Sequence, residues 1–360
     1  MKVLQVLAGA QEGGAETAFV DTCLALAKAG LLIEAVIRPH EARRARLSAA
    51  GIKVHVLPFG GTLDLWTPYR MRSIIHDFQP VIVQTWMSRA SDKTPAWSSS
   101  LRAPRYALLA RLGGYYNLKY YRHTDYFLAN TPDIRQYLLD KGIPPEKVRH
   151  INNFADFDDG PGVVSRSDFD TPEDAPLLLA LGRLHVNKAF DVLIKAVAQV
   201  PDAYLWIAGE GPERGALESL ISSLKLRKRV KLLGWRDDRG PLFRTADICV
   251  FPSRFEAFGN VFAQAWAQKI PLITTDSTGP KQFVRDREDA LLTPIDDVGA
   301  MAACIRRFID DREFAQALAA RGYQRFKEEF SREKTVQAYL DYYSCIEQHL
   351  SGGSLRAEQA

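Results

Sequence analysis

The sequence is poor in cysteine, and its four cysteines lie far apart without a CxxC pair: Cys23, Cys249, Cys304 and Cys345. This spacing argues against a zinc site or a disulfide framework, and it fits a reducing compartment. An apolar run of the roughly 18 residues that span a bilayer is also missing. The apolar segment 3–8 follows the first residues without a signal-peptide pattern. We therefore expect a cytoplasmic protein, or one attached peripherally to a membrane surface.

The charge of the chain is distributed unevenly. A length of 360 residues is too great for one compact core and predicts two domains. The formal net charge is +4, yet residues 1–150 hold 20 Lys and Arg against 12 Asp and Glu, with Arg38, Arg43 and Arg44 among them. This excess predicts an anionic partner, such as a membrane surface, for the first half. Solvated surface charge is the alternative, and a nucleic-acid partner is not predicted.

Short apolar segments alternate with helical patterns along both halves. Nearly continuous runs such as 81–86 and 248–251 predict strands of parallel sheets that are covered on both faces. The segment 156–175, rich in Asp, Gly and Pro, predicts an interdomain linker. We expect the α/β fold class, with two doubly wound Rossmann-like domains facing each other across a cleft. The predicted boundaries are 1–157 and 158–330, then a final helix at 331–350 that returns to the first domain and a disordered tail at 351–360.

One loop carries a clear chemical signal. The apolar run 248–251 ends in a loop that contains Glu256 and a Phe258-Gly259 turn, and a helix is predicted to begin near Asn260. A carboxylate beside the free N–H groups of a helix start suits an anionic ligand that also has hydroxyl groups. A sugar diphosphate meets both demands. A surface loop that only closes a βα unit is the alternative.

Three further βα turns point to a phosphate ligand. Glycines let backbone N–H groups approach a phosphate closely, and Arg with Lys offers a fork of donors and a point charge to a diphosphate. Each turn is a weak signal alone, because glycines in ordinary βα turns and solvated surface charges give the same pattern. The residues are Gly13 and Gly14 after the first strand, Arg183 and Lys188 after the first strand of the second half, and Gly209 and Gly211 after the next strand.

Together, the order and spacing of these segments resemble glycosyltransferase family 4. Segments 183–188, 209–212, 230–235 and 251–268 resemble its nucleotide-sugar domain, and 13–16 resembles its N-terminal glycine loop. The resemblance implies the GT-B fold, with acceptor-side and donor-binding domains. It implies a retaining, metal-independent hexosyltransferase without a cofactor, whose donor is a UDP-, GDP- or ADP-sugar. The implied acceptor is a glycan or lipid-linked saccharide of the bacterial cell envelope, such as lipopolysaccharide. The implied location of the enzyme is the inner face of the plasma membrane.

The resemblance also assigns roles to residues. Arg183 and Lys188 would hold the diphosphate and Glu256 would accept hydrogen bonds from the donor sugar, so these three are the predicted catalytic residues. The implied substrate-binding positions are Gly13, Gly14, Gly209, Gly211, Phe258, Gly259, Asn260, Val261, Gln264 and Arg111.

Several positions depart from the family pattern. Gln264 stands where the family has a second Glu that binds the ribose diol, and an amide cannot accept both hydroxyl protons as a carboxylate does. Gln282 stands at another position where the family often has Glu. The family's N-domain histidine has no clear counterpart, and Arg111 or Tyr115 would replace it unless both are ordinary loop residues.

Two Asp-Phe-Asp triplets, 156–158 and 168–170, resemble the metal-binding motif of another glycosyltransferase class. Neither closes an apolar strand as that class requires, so a metal site is not predicted. A GT-B epimerase and a non-catalytic nucleotide-sugar-binding protein remain alternatives to the transferase.

Overall fold

The computed structural model describes residues 1–352 except 12, 62 and 156–161. The chain divides into two compact units. Unit 1 consists of Met1–Phe154 together with the segment that begins at Arg332, and unit 2 is Ala155–Ser331. The predicted boundary between 157 and 158, the triplet 156–158 and the end of the predicted tail lie outside the described residues.

Unit 1 is built on a seven-stranded parallel sheet in the order β3-β2-β1-β4-β5-β6-β7. Its central strands are buried on both faces, which explains their continuous apolar sequence. The strands are β1 (Lys2–Leu7), β2 (Leu32–Ile37), β3 (Lys53–Val56), β4 (Ile82–Trp86), β5 (Ala107–Leu112), β6 (Tyr126–Ala129) and β7 (Val148–His150). The helices between them are α1 (Gly14–Lys28), α2 (Glu41–Ala49), α3 (Trp66–Phe78), α4 (Met87–Lys93) and α5 (Pro132–Asp140).

Unit 2 repeats this plan with six parallel strands in the order β10-β9-β8-β11-β12-β13. The strands are β8 (Leu177–Leu181), β9 (Tyr204–Ala208), β10 (Val230–Gly234), β11 (Ile248–Phe251), β12 (Leu272–Thr275) and β13 (Leu291–Thr293). The helices are α6 (Phe190–Ala198), α7 (Arg214–Ser223), α8 (Arg239–Thr245), α9 (Asn260–Ala267), α10 (Pro280–Phe283), α11 (Val298–Asp310) and α12 (Arg312–Arg325), followed by a π-helical turn at Phe326–Phe330. The prediction of two doubly wound α/β domains is confirmed.

The last helix, α13 (Arg332–Leu350), packs on unit 1. Tyr342, Tyr343 and Ile346 are buried in the same core as Trp86 and Tyr126. Hydrogen bonds reinforce this packing, because the Tyr343 hydroxyl donates to Gln84 Oε1 at 2.7 Å. Helix α13 therefore completes the core of unit 1, the unit to which the first residues of the chain belong.

Some local expectations were wrong. The sequence analysis treats Arg111 as a loop position, but β5 extends to Leu112, and Arg111 therefore lies in a buried strand. The described part of the expected linker packs into unit 2: Val164 is buried in its core, and Arg166 donates to the carbonyl oxygens of Ala175 and Thr245.

None of the helices in the described ranges is long and apolar enough to cross a membrane.

Candidate functional site

The Glu256 carboxylate and the Lys188 ammonium form an ion pair in unit 2. Lys188 ends the 3₁₀ turn after β8, and Glu256 lies in the loop after β11, the neighbouring strand in the sheet. The pair is largely enclosed, since the side chains are 22% and 16% exposed. Ser253 Oγ donates to Glu256 Oε1 at 3.2 Å, and Lys188 Nζ lies 5.4 Å from the centroid of the Phe251 ring. Two predicted site residues are thus brought together.

Arg183 lies in the same β8–α6 loop as Lys188 and is exposed. The Lys188 side chain passes close to the backbone at Gly182, where a Cβ would lie 3.2 Å from Lys188 Cε. The same loop therefore carries an exposed guanidinium and, five residues later, a partly enclosed ammonium. Such a pair of cations suits a diphosphate, because its oxygens carry negative charge on two phosphorus centres.

Arg254 fixes the loop that carries Glu256. Its guanidinium forms ion pairs with Asp191 at 2.9 Å and Asp296 at 2.6 Å, and it also donates to the carbonyl oxygen of Val186 at 2.7 Å. The Arg254 backbone N–H donates to Asn187 O at 2.8 Å. These contacts tie the β11–α9 loop directly to the turn that holds Lys188.

This tether changes the acid–base properties of its members. The hydrogen bond to Asp191 raises the pKa of Arg254. Burial is the largest single influence on Asp191 and would raise its pKa, but the hydrogen bond and charge of Arg254, together with the charge of Lys195, lower that pKa overall. Sequence analysis missed Arg254 as a site residue because its partners lie 42 and 63 positions away along the chain.

The glycines after β9 allow two loops to pack tightly. A Cβ at Gly209 would lie 1.9 Å from the carbonyl oxygen of Gly182, and one at Gly211 would lie 2.3 Å from that of Leu184. The two loops are joined by the hydrogen bond from Leu184 N to Glu210 O at 2.9 Å. These glycines therefore position the Arg183 loop.

The start of α9 is anchored by aromatic packing. Phe258 is buried, with ring centroids 5.2 Å from Phe262 and 5.1 Å from Phe283, so its backbone is the part that can face a ligand. Gly259, with φ of 85°, then begins the helix, and Asn260 and Val261 form its first turn.

Both glutamines that replace family carboxylates lie in unit 2. Gln264 is buried in α9, with 8% of its surface exposed. Gln282 lies in α10 and donates to the carbonyl oxygen of Thr278 at 2.7 Å.

In unit 1, Gly13 and Gly14 lead into α1 as predicted. The buried Glu16 carboxylate closes this glycine loop by accepting a hydrogen bond from Ala10 N at 2.7 Å. Arg43 donates to the carbonyl oxygens of Ala10 and Gln11, both at 3.1 Å. Arg43 was expected in the basic surface but is 6% exposed, because it braces the glycine loop.

Arg111 is 3% exposed in β5. Its guanidinium lies 4.1 Å from the centroid of the Trp86 ring and donates to Asn153 Oδ1. Burial lowers the pKa of Arg111, although not enough to discharge a guanidinium. This burial leaves little of Arg111 for direct contact with a substrate. Tyr115 is partly exposed, and its ring packs edge-on against Tyr137.

The triplet 168–170 spans the end of a 3₁₀ turn, and Asp170 pairs with Lys231 at 2.9 Å. Over the described ranges, no group of three or more His, Cys, Asp or Glu side chains is arranged to hold a metal ion.

Comparisons with known proteins agree with this arrangement. Residues 175–311 match the family described as "Glycosyl transferases group 1", and residues 12–159 match "Glycosyltransferase Family 4". Two curated relatives come from Rhizobium meliloti. The lipopolysaccharide core biosynthesis glycosyltransferase LpsE is 36% identical over 92% of this chain and 95% of its own length. LpsD, which has the same description, is 33% identical over 95% of this chain and 98% of its own length.

A solved structure shows the same fold. The Anabaena protein HepE, crystallised in complex with UDP, superposes with a TM-score of 0.81 at 20% identity, covering 96% of this chain and all of HepE.

Proposed function

This chain belongs to glycosyltransferase family 4, and from that premise we propose that it transfers a hexose to a growing lipopolysaccharide core. Its relatives LpsE and LpsD are lipopolysaccharide core biosynthesis glycosyltransferases and align with nearly its whole length. The donor is a UDP-, GDP- or ADP-sugar, the anomeric configuration is retained, and neither a metal nor a further cofactor takes part.

The enclosed Lys188–Glu256 pair is the observation that carries this proposal. Both described hydrogen bonds to the Glu256 side chain end on Oε1, and no described residue donates to Oε2. Oε2 is therefore suited to accept hydrogen bonds from the hydroxyls of the donor sugar. Lys188 has three N–H donors. One is engaged by Glu256, and the others can bind the diphosphate together with Arg183.

The same charges favour departure of the nucleotide. Negative charge develops on the leaving phosphate in the transition state, and two cations held beside it in a water-poor site lower the barrier. The acceptor oxygen bonds to the anomeric carbon on the face that the nucleotide leaves. The departing phosphate oxygen takes the acceptor proton. The products are a glycoside of retained configuration and a nucleoside diphosphate.

The acceptor is a glycan or lipid-linked saccharide bound by unit 1. We place the enzyme in the cytoplasm, at the inner face of the plasma membrane, because lipopolysaccharide cores are attached to lipid and the first 150 residues are rich in Lys and Arg. Attraction between this basic half and anionic lipid would hold the enzyme near its acceptor.

A donor screen followed by a turnover assay tests the proposal. Thermal unfolding is recorded with UDP-glucose, GDP-mannose and ADP-glucose, because a ligand of the folded state raises the melting temperature. The stabilising donor is then incubated with detergent-solubilised lipopolysaccharide of truncated core. Acceptor-dependent release of nucleoside diphosphate is the expected result. Donor binding without release in any combination would instead indicate a non-catalytic binding protein.

Glu256→Ala tests the assigned role. We expect transfer to fall about 100-fold or more, since the substitution removes the acceptor of the sugar hydroxyls from an enclosed site. Circular dichroism should remain that of the wild type. Glu288→Ala, at an exposed carboxylate of the same unit, is the matched control. Transfer by Glu256→Ala at the rate of the control would remove Glu256 from the mechanism.

A further inference from the structure

Unit 1 exposes a group of large apolar side chains on one short segment, which we call the apolar loop. Its members are Leu63, Leu65, Trp66 and Tyr69, which are 94%, 80%, 58% and 65% exposed. Single exposed apolar side chains are common on protein surfaces, but a cluster within seven residues indicates contact with something other than water. The apolar loop follows β3 and includes the start of α3.

The apolar loop is held in place by hydrogen bonds within the chain. The Asp64 carboxylate accepts from Gly60 N at 2.7 Å, from Thr67 N at 3.0 Å and from Thr67 Oγ1 at 2.5 Å. The Thr67 hydroxyl in turn accepts from Phe59 N at 3.1 Å. The hydrogen bond from the Thr67 hydroxyl is the main reason that the pKa of Asp64 is lowered. The loop thus presents its apolar side chains from a fixed backbone.

Cations lie beside the apolar loop. Arg70 lies over the Trp66 ring, with Cζ 5.9 Å from the centroid, and Arg72 is exposed on the same helix. Lys93 donates to the carbonyl oxygen of Asp64 at 3.1 Å. The Asp64 carboxylate within the loop stays ionised, but Arg70, Arg72 and Lys93 outnumber it, so the sum of these charges is positive. This charge complements an anionic surface.

We propose that the apolar loop inserts into the headgroup region of an anionic lipid bilayer. Exposed leucines, followed by Trp and Tyr, with Arg beside the Trp ring, are the composition of an interfacial membrane anchor. Most of the surface of each of these side chains is open to solvent, which leaves them free to contact a lipid layer. The membrane assignment rests on the proposed function in one respect: a lipid-linked acceptor lies in a membrane, so the enzyme must bind near that membrane to use it.

Vesicle co-sedimentation of the full chain tests the assignment. The wild type should bind vesicles of phosphatidylglycerol and phosphatidylethanolamine more strongly than vesicles of phosphatidylcholine. The double variant Leu63→Ser, Leu65→Ser should bind the anionic vesicles at least about tenfold more weakly, because withdrawing one apolar side chain from water is worth roughly that factor. Arg70→Glu should weaken binding to anionic vesicles while leaving binding to phosphatidylcholine unchanged.

Leu32→Ser is the matched control. Leu32 is 60% exposed at the beginning of β2, in the same unit but outside the apolar loop, and its replacement should leave vesicle binding unchanged. Melting temperatures of all variants should stay close to that of the wild type, because the replaced side chains are exposed. The proposal is overturned if the wild type does not bind vesicles, or if the double variant binds them as tightly as the wild type.

A second readout separates this proposal from the proposed function. UDP-glucose or another stabilising donor should raise the melting temperature of the double variant as much as that of the wild type. Loss of this response would place the apolar loop in the donor site and overturn the membrane assignment. Transfer to a deacylated acceptor should also be unchanged, and its loss would assign the loop to glycan binding instead. If no donor binds the wild type, the proposed function fails while the vesicle result still decides the membrane assignment.

Discussion

At the scale of single residues, Arg254 joins three segments of unit 2 around the Glu256 loop. It bonds to Asp191 at the start of α6, to Asp296 after β13 and to the backbone of the Lys188 turn. The planar guanidinium can serve all three because its five N–H donors point in fixed directions. Arg254 therefore determines where the Glu256 carboxylate lies without being assigned a contact with substrate.

Replacing Arg254 should slow transfer through this positioning effect. We expect Arg254→Ala to lower kcat/KM about 10- to 100-fold, since small misplacements of a catalytic group have effects of that size. Arg254→Lys should restore part of the activity, because a point charge can reach one carboxylate but not all three partners. Steady-state kinetics with Arg307→Ala as control would check this, Arg307 forming an exposed ion pair with Asp311. Wild-type kcat/KM in Arg254→Ala would show that the tether is dispensable.

His150, at the end of β7, should make unit 1 sensitive to acid. Burial lowers its pKa from 6.5 to about 4, so the unfolded chain binds its proton more readily than the folded chain. The stability that this group provides is complete above pH 6.5 and is lost as the pH falls towards 4, by about 3 kcal/mol at most. Urea unfolding at several pH values should show a shallower loss for His150→Gln than for the wild type. Equal slopes would exclude His150 as the cause.

At the scale of elements, α13 is bound to the first sheet by a buried polar network. The Tyr343 hydroxyl accepts from Gln5 Nε2 at 3.1 Å and donates to Gln84 Oε1 at 2.7 Å. Gln5 Oε1 accepts from the Trp86 indole at 2.8 Å. All four residues are buried, so each polar group depends on the others for its hydrogen bonds.

Removing one hydroxyl should therefore be costly. Tyr343→Phe leaves the two glutamines without this partner, and we expect unit 1 to lose about 1–3 kcal/mol of unfolding free energy. Tyr120→Phe, at an exposed tyrosine of the same unit, should change it by less than about 0.5 kcal/mol. The midpoint of urea-induced unfolding measures both. Equal midpoints for the two variants would mean that water replaces the lost hydroxyl.

The sequence predicted most elements because both sheets bury continuous apolar strands. Prediction from the sequence failed where tertiary contacts determine the end of a strand or the packing of a segment. Strand β5 includes the charged residue Arg111, which a pattern of apolar residues does not assign to a buried strand. Arg111 can be buried there because its guanidinium lies over the Trp86 ring and donates to Asn153. Similarly, Asp, Gly and Pro predicted a linker at 156–175, although Arg166 within it is buried in unit 2 and donates to the backbone carbonyl oxygens of Ala175 and Thr245. Buried cations satisfied by distant groups cannot be recognised from local sequence.

At the scale of the whole molecule, the two doubly wound domains were predictable from the alternation of apolar and helical segments. That Lys188 and Glu256 lie close together was predictable because both residues follow strands of the second half and belong to a recognisable motif, although their ion pair was not predicted. The tether around Arg254 was not, since Asp296 belongs to no motif. Local signals therefore predicted the candidate site, and long-range contacts determine its geometry.

Nucleotide binding should stabilise mainly unit 2 against unfolding. With the nucleoside diphosphate of the stabilising donor at about 100 times its Kd, amides that exchange only by global opening of unit 2 should gain about 2.7 kcal/mol of protection. Hydrogen exchange measured by mass spectrometry should show the strongest slowing at 182–188 and 251–260, and little change in the strands of unit 1. Protection confined to unit 1 would contradict the assignment of the donor site.

The position of α13 has a consequence for synthesis on the ribosome. Unit 2 is continuous in sequence and can fold as soon as residue 331 has left the exit tunnel. Unit 1 emerges earlier, yet Tyr339, Tyr342, Tyr343 and Ile346 complete its core only after the whole of unit 2 has been translated. The half that is made first is thus finished last, and a nascent chain stalled before α13 would expose an apolar surface for chaperones to cover.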